Sequence, residues 1–333
     1  MIFNMISGGG ASVLIDGQKP TSEIDLITSG ALHKNTSMPS DGFFASVCSH
    51  NGSIYASFNG RIYKFVEGAW TLIASGGVLD YFSGGSYSEE LISFDNKLHL
   101  MGSSYAVTDT YTTYPYAKKY YYSTDNGVTW TAGPDLPIDF VGGQAVVYNN
   151  ELHILGGLTT KAHYKLSGNA WVSVSTLPLA SIIDRNNGVA VLNNYIYMFM
   201  WTGNTGDGRL YRWNGSTWSN QGVLSITGLS SALLCGNYRH AMVNFNNNLY
   251  IIIKSGVYSG IDNGDDAGFY VLRYTGSGAN FEKAYRLPFR ARDNTQLVVH
   301  NSNLNVFGNT RTSNDAWNIY ARDWWSIVGY IQE

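Results

Sequence analysis

One short pattern recurs along the chain and limits what it can fold into. A polar or Gly turn followed by alternating apolar and aromatic residues appears six times in 333 residues, and self-similarity at such a period marks a repeat architecture. Its core reads Ser53-Ile54-Tyr55, Lys97-Leu98-His99, Glu151-Leu152-His153, Tyr195-Ile196-Tyr197, Asn248-Leu249-Tyr250 and Asn303-Leu304-Asn305. The pairs Asn51-Gly52, Asp95-Asn96, Asn149-Asn150, Asn193-Asn194 and Asn246-Asn247 precede five of these cores. Such residues tolerate the left-handed backbone of a two-residue hairpin turn, so the first two strands of each unit are expected to form a tight hairpin.

A third strand is expected at Ile62-Tyr63-Lys64-Phe65, Tyr120-Tyr121-Tyr122, His163-Tyr164-Lys165-Leu166, Leu210-Tyr211-Arg212-Trp213, Val271-Leu272-Arg273-Tyr274 and Ile319-Tyr320-Ala321. An aromatic then opens a fourth: Trp70, Trp130, Trp171, Trp218, Phe281 and Trp324 or Trp325. Leu136-Pro137, Leu177-Pro178 and Leu287-Pro288 follow in three units, where Pro suits an outer strand leaving its sheet. Only 14% of residues are charged, while Gly numbers 37 and Tyr 24, a mix that favours short strands and tight turns over long helices.

A four-stranded sheet that is apolar on both faces cannot bury them alone. Stacked radially, six units make a ring, so the expected fold is an all-β, six-bladed β-propeller of four-stranded antiparallel blades, with seven blades as the alternative count. Residues 39–333 form this propeller, and 1–38 form an N-terminal segment. There, Leu32 to Met38-Pro39 has the spacing of a fourth strand without its first three, so it is a candidate to close the ring against the last unit. Trp325 to Tyr330 competes for that place, and Ser12 to Asp16 with Ile24 to Ile27 make a short separate element the other option.

The repeat resembles the kelch family. Leu152-His153-Ile154-Leu155-Gly156-Gly157 is similar to the kelch strand that ends in a double Gly, and Arg185, Arg239 and Arg292 stand where kelch repeats carry Arg. Most units lack the Gly pair, as in a divergent member. Ser123-Thr124-Asp125-Asn126-Gly127-Val128-Thr129-Trp130 resembles an Asp box, the turn of sialidase-like propellers. A single copy reads as a turn cap rather than a catalytic mark.

Candidate binding residues follow from where the chain spends its loops. Connections from second to third strands leave by the same end of the ring as those between units. The long ones are Gly102 to Lys118 and Ser255 to Gly268, with shorter ones at Thr202 to Gly208 and Gly308 to Ala316. Long loops on a compact scaffold carry function. Tyr105, Tyr111, Tyr114 and Tyr116 offer flat faces and hydroxyls at low entropic cost, as paratopes do, or else pack over the next unit. Tyr258 lies in the second long loop. Arg185, Arg239 and Arg292 are expected to ring the channel mouth as an anion site or to pair with carboxylates such as Asp184 and Asp293. His240 is a candidate ligand or proton carrier. The run Asp262-Asn263-Gly264-Asp265-Asp266 gathers oxygens that calcium would accept, but it lacks EF-hand spacing and reads as a solvated acidic loop. No cofactor is otherwise expected.

Several function classes are excluded. The formal charge of -3 gives no surplus for a phosphate backbone, so nucleic acid is not an expected partner. No apolar run of about 18 residues or signal peptide is encoded, so no membrane partner is expected, and a virion or the cytoplasm of the producing cell is the expected location. Cys48 and Cys235 fall in units one and five, which are not neighbours, and are expected to be free thiols. No zinc spacing, G-x-S-x-G elbow or Walker loop occurs, so a non-catalytic reading ranks first.

Three functions remain. The opening Met-Ile-Phe-Asn-Met-Ile-Ser-Gly-Gly-Gly resembles the starts of phage tail-associated proteins. That implies a phage or prophage tail-tip, receptor-binding protein that contacts a bacterial surface glycan or protein, alongside other tail proteins. The kelch resemblance implies as an alternative an enzyme acting on sialic acid or another sugar, or a copper oxidase. The Arg-Ile-Pro motif of sialidases is missing, and no Tyr, Cys and His set pairs for copper. The third reading is an intracellular kelch scaffold for a protein partner.

Overall fold

In the computed structural model the described residues are 32–34, 46–58, 60–82, 89–102, 106–107, 112–113, 117–157, 160–178, 187–201, 208–227, 242–255, 268–287, 290–291, 296–311 and 321–327. They build an all-β propeller of antiparallel four-stranded blades. The first strand, β1 (Leu32–Lys34), belongs to a sheet completed at the far end of the chain. The next four, β2 (Ser46–His50), β3 (Ser53–Phe58), β4 (Arg61–Val66) and β5 (Ala69–Ser75), form the first blade in chain order. A 3-10 turn (Gly77–Phe82) leads on, and its Leu79 and Phe82 are buried.

The second blade joins β6 (Glu90–Phe94), β7 (Lys97–Met101), β10 (Tyr120–Ser123) and β11 (Thr131–Ala132), with a separate ribbon of β8 (Ala106–Val107) and β9 (Thr112–Thr113) between them. The third contains β12 (Gln144–Tyr148), β13 (Glu151–Leu155), β14 (Ala162–Ser167) and β15 (Ala170–Thr176). The fourth contains β16 (Asn187–Leu192), β17 (Tyr195–Trp201), β18 (Gly208–Trp213) and β19 (Trp218–Val223). In the fifth, β20 (Ser225–Thr227) adds in parallel to the outer edge of β21 (Met242–Phe245), β22 (Asn248–Ser255), β23 (Gly268–Tyr274) and β24 (Asn280–Leu287). The remaining sheet holds β25 (Arg290–Ala291), β26 (Gln296–His300), β27 (Asn303–Arg311), β28 (Ala321–Ile327) and β1.

The hairpins form as local chemistry dictates. Residue pairs 51–52, 95–96, 149–150, 193–194, 246–247 and 301–302 all have positive φ, for example 49° and 59° at Asn149 and Asn150. Two consecutive left-handed residues match the twist of the strands they join. A bulge recurs between the third and fourth strands, at Ile62/Tyr63, His163/Tyr164, Leu210/Tyr211 and Val271/Leu272. The extra outer-strand residues Ile73, Val174 and Ala284 turn inward and pack on cores between blades.

Each apolar cluster belongs to two consecutive sheets. Tyr55 and Ile62 meet Leu91 and Leu98, while Tyr120 and Phe140 meet Leu152 and Ile154. Leu155 meets Ile196 and Met198, and Phe199 and Leu210 meet Ile251 and Phe281. Ile252 and Val271 meet Leu304 and Val306, and Phe307 returns to Ile54 and Val47. The innermost strands follow the same circuit, β2 to β6, β12, β16, β21, β26 and back to β2. Leu136, Leu177 and Leu224, at the exits of outer strands, are buried and donate their N–H to Lys118, Lys161 and Gly208 carbonyls at 2.8, 2.7 and 2.8 Å.

One expectation is corrected. Trp324 or Trp325 is expected to open a fourth strand, but both lie with Ala321 in the third, Ala321–Ile327, which pairs with β27; Ile319 and Tyr320 lie outside the described residues, and β1 takes the outer place through Leu32↔Ile327, His33↔Ser326 and Lys34↔Trp325. Two aromatics in one strand blur the spacing that marks the fourth strand elsewhere. Cys48 is a free thiol, and Cys235 lies outside the described residues.

Gly157 shows why Gly156-Gly157 is spelled so. Its φ is 137°, and a Cβ there would stand 2.6 Å from the carbonyl oxygen of Asp139 in the preceding connection. We expect Gly157→Ala to cost at least about 2 kcal/mol in urea denaturation. Gly276→Ala, at φ 89° with nothing within 4 Å, should cost only about 1 kcal/mol. Equal costs at the two positions would mean that the close approach is not what selects glycine.

Candidate functional site

Antiparallel order sends the two kinds of turn to opposite ends of the ring. At one end lie the tight first-to-second hairpins and the third-to-fourth turns. At the other end the chain leaves β7 at Met101 and re-enters at Tyr120, leaves β17 at Trp201 for Gly208, β22 at Ser255 for Gly268, and β27 at Arg311 for Ala321. These four excursions therefore start and finish on one rim.

Tyr105, Tyr111, Tyr114, Tyr116, Arg185, Arg239, His240, Tyr258, Asp262, Arg292 and Asp293 lie outside the described residues, as does Asp184. The supports of several of them are described. Ala106 pairs with Thr113 and Val107 with Thr112 in the β8–β9 ribbon, which stands between the tyrosine positions in the chain. Arg185, Arg239 and Arg292 come shortly before β16, β21 and β26, the innermost strands of their sheets.

The base of the blade-two excursion is held by backbone bonds. Gly102 donates to Lys119 O at 3.1 Å, Leu136 to Lys118 O at 2.8 Å and Phe140 to Ala117 O at 3.1 Å. Ala117 and Phe140 are both buried. Lys119 adds an exposed ion pair with Asp135 at 3.1 Å, worth little by itself. Whatever the excursion contacts is thus carried on a footing fixed to the core.

Along the axis runs a channel with a cavity of about 340 Å³, lined by the six innermost strands. Its wall is mainly Val, Ala, Leu and Met, with Cys48, Ser49, Glu90, Ser93 and Asn244 among them. Burial pushes the Cys48 thiol far up, and the Glu90 carboxylate adds to the effect. A thiol so protonated is no nucleophile at neutral pH. Inner strands are sheet edges with backbone groups to satisfy, and side chains of the neighbouring blade meet them. Gln296 Oε1 accepts from Val47 N at 2.8 Å, Ser46 Oγ from Leu91 N at 2.9 Å, and Glu90 Oε1 from Ala145 N at 3.4 Å. Nearer the turn end, His300 Nδ1 bonds Ser49 Oγ at 3.0 Å and His50 Nδ1 bonds Ser93 Oγ at 2.8 Å. These contacts lock blades together. Among the described residues no three His, Cys, Asp or Glu side chains gather to hold a metal ion.

Sequence reasoning passed over the buried histidines. His153 Nδ1 lies 2.8 Å from His163 Nε2, His163 Nδ1 lies 3.0 Å from Ser175 Oγ, and Trp218 Nε1 donates to the same Oγ at 3.1 Å. One neutral tautomer of each ring satisfies these three bonds, and His153 Nε2 is left buried with Glu151 Oε2 3.7 Å away. His99 Nδ1 bonds Tyr120 Oη at 2.7 Å and His99 Nε2 bonds Phe94 O at 3.0 Å. Their signal was the repeat itself, since His99 and His153 occupy the position of Tyr55, Tyr197 and Tyr250 and fill the same gap between blades.

No family model matches this chain, and no curated protein matches it in sequence. A solved structure titled "Structure of YjhT" is similar to it with a TM-score of 0.62, covering 87% of this chain and 95% of that one at 11% identity. At that identity the likeness is one of fold. Among the described residues no helix is long and apolar enough to cross a membrane.

Burial lowers His99 and His153 to about 4 and His163 to about 3. A histidine depressed in the folded state is protonated first in the unfolded chain, near pH 6.5. Its contribution is therefore whole above that pH and is lost as pH falls toward 4 and 3, at up to about 1.4 kcal/mol per pH unit for each ring. Asp125, held at about 2 by bonds from Thr129, acts only in more acid solution. We expect urea midpoints to be level above pH 7 and to fall steeply between pH 6.5 and 4. His163→Asn should lessen that slope by one proton's share, and a flat profile would refute the burial of these rings.

Proposed function

We propose that this chain is a non-catalytic recognition module, a six-bladed propeller that meets a bacterial surface glycan or protein through its loop-bearing rim. The observation that carries the reading is the gathering of the long second-to-third-strand excursions at one end of a scaffold whose other end carries the tight turns. Binding residues concentrate on loops held by rigid frames. The Tyr, Thr and Ser content of residues 103–116 supplies contact area and hydrogen bonds with one charged residue, Asp109, in the segment.

The count of six rests on the closed circuit of inner strands, with β1 completing the sheet of β26 to β28. A divergent kelch assignment is supported by Gly156-Gly157 and its close approach to Asp139. An Asp-box assignment is supported by the turn after β10. There Ser123 Oγ accepts from Gly127 N at 2.8 Å, Asp125 Oδ1 accepts from Thr129 N at 2.9 Å, and Trp130 Nε1 donates to Gly127 O at 3.0 Å. The tail-tip reading, with its virion location and tail partners, draws on the opening residues of the sequence alone. A sugar-acting enzyme is the alternative in which Arg185, Arg239 and Arg292 hold an anionic substrate at the channel mouth.

The purified protein should sediment with whole cells or wall glycans of some bacterial host. Tyr111→Ala with Tyr114→Ala should weaken that binding about tenfold or more while leaving thermal unfolding unchanged. Absence of binding across a broad host panel would overturn the recognition reading, and turnover of sialosides would favour the enzyme.

A further inference from the structure

We propose a second binding site on the opposite, turn-bearing end of the ring, in the groove between the first blade and the sheet of β26 to β28, for one neutral monosaccharide unit. A cavity of about 370 Å³ opens there, and Lys64, Phe65, Glu67, His300, Asn301 and Asn303 are among the residues that line it. That volume lies at the small end of ligand sites and suits one pyranose ring with its first waters.

The backbone singles out Glu67. Among the described non-Gly residues with positive φ, all others are Asn, Asp or Ser, which tolerate this region through local hydrogen bonds. Glu67 sits at φ 49° in the turn between β4 and β5, where the matching turn between β14 and β15 has Gly168 at φ 58°. Glycine would hold this turn at lower cost. The carboxylate is kept at a strained position on the wall of a cavity, as happens where a side chain serves a ligand.

The chemistry of the wall selects the ligand. One ammonium at Lys64 and one carboxylate at Glu67 leave it with no net charge, which disfavours a small anion. The amides of Asn301 and Asn303 each offer a donor and an acceptor, the pairing that vicinal hydroxyls require. His300 holds Ser49 through Nδ1, and burial keeps it on the neutral side. Phe65 and the exposed Val66 give the apolar patch that the C–H face of a sugar covers. Phe65 is itself fixed edge-on to Trp70 at 5.4 Å.

Saturation-transfer NMR of the full chain with glucose, galactose, mannose and N-acetylglucosamine at millimolar concentration tests the site. We expect transfer to at least one sugar. Binding should weaken about five-fold or more in Glu67→Gly and in Asn303→Leu, and be kept when residues 103–116 are replaced by a short Gly-Ser linker. Glu67→Gly should at the same time raise the thermal midpoint, a split that a purely structural role would not give. Absence of transfer to every sugar, transfer undiminished in either variant, or transfer abolished by the linker would overturn the proposal. The linker arm also separates this site from the rim, whose failure to bind cells would leave it standing.

Discussion

Every sheet in this fold has two apolar faces, and neither can be buried without a neighbour. That single constraint sets the rest. Clusters such as Tyr55 and Ile62 with Leu91 and Leu98, or Ile252 and Val271 with Leu304 and Val306, each join consecutive sheets. Removing a wholly buried member such as Leu152 would open a cavity at two blades at once, with the cost of about 2 to 5 kcal/mol typical of large-to-small core changes. Cohesion is therefore a chain of like interfaces, each needing the next.

A ring made this way has one interface that differs from the others. Between the first blade and the sheet of β26 to β28 the two faces come from residues such as Ser49 and His300, 251 positions apart, and the contact is reinforced by polar bonds at both ends of the inner strands. Gln296 caps Val47 N at one end, and His300 bonds Ser49 at the other. The next two interfaces repeat the device with Ser46, His50 and Glu90. The matching position in the fourth blade is Gly188, which has no side chain to make such a bond, and there Asn244 Nδ2 donates to Val191 O at 2.8 Å instead. Between the fourth and fifth blades lies the large cluster that includes Phe199, Ile251, Tyr270 and Phe281. The cluster across the closing interface is a small one, and the polar clamps add to it.

What the sequence made legible was local. Left-handed pairs such as Asn149-Asn150 fix a hairpin by their own backbone preference. Trp171 and Trp218 mark outer strands because their rings must cross to the preceding blade, where they donate to Pro134 O and Ser175 Oγ at 3.1 Å each. The pairing of Leu32 with Ile327 has no such signature, because it depends on which strand remains to fill an edge. For the same reason Trp324 and Trp325, which lie in the last third strand, read as the opening of a fourth. Candidate ligand residues were harder still. Arg185 and Tyr111 lie on connections whose period carries no information, so composition alone drew attention to them. His153 and His163 were visible as repeat positions, but their bond to each other needs the third strand laid against the second.

The division of labour between the two ends has a physical consequence for what the molecule can become. Hydrogen bonds that order one blade against another, from Asn51 to Asn126, His50 to Ser93 and Tyr148 to the Asn194 carbonyl, gather at the end of the tight turns. Where the long excursions begin, backbone bonds hold their footings, as at Ala117 and Lys118, and Gln296, Ser46 and Glu90 join the inner strands. Stability and contact surface are therefore written in different residues. The excursions can change length and composition at small entropic cost, since closure of a loop grows only slowly with its length. A turn such as Glu67-Gly68, in contrast, is tied to the frame at both sides. A residue held there against its backbone preference calls for an explanation, which a residue in the excursions does not.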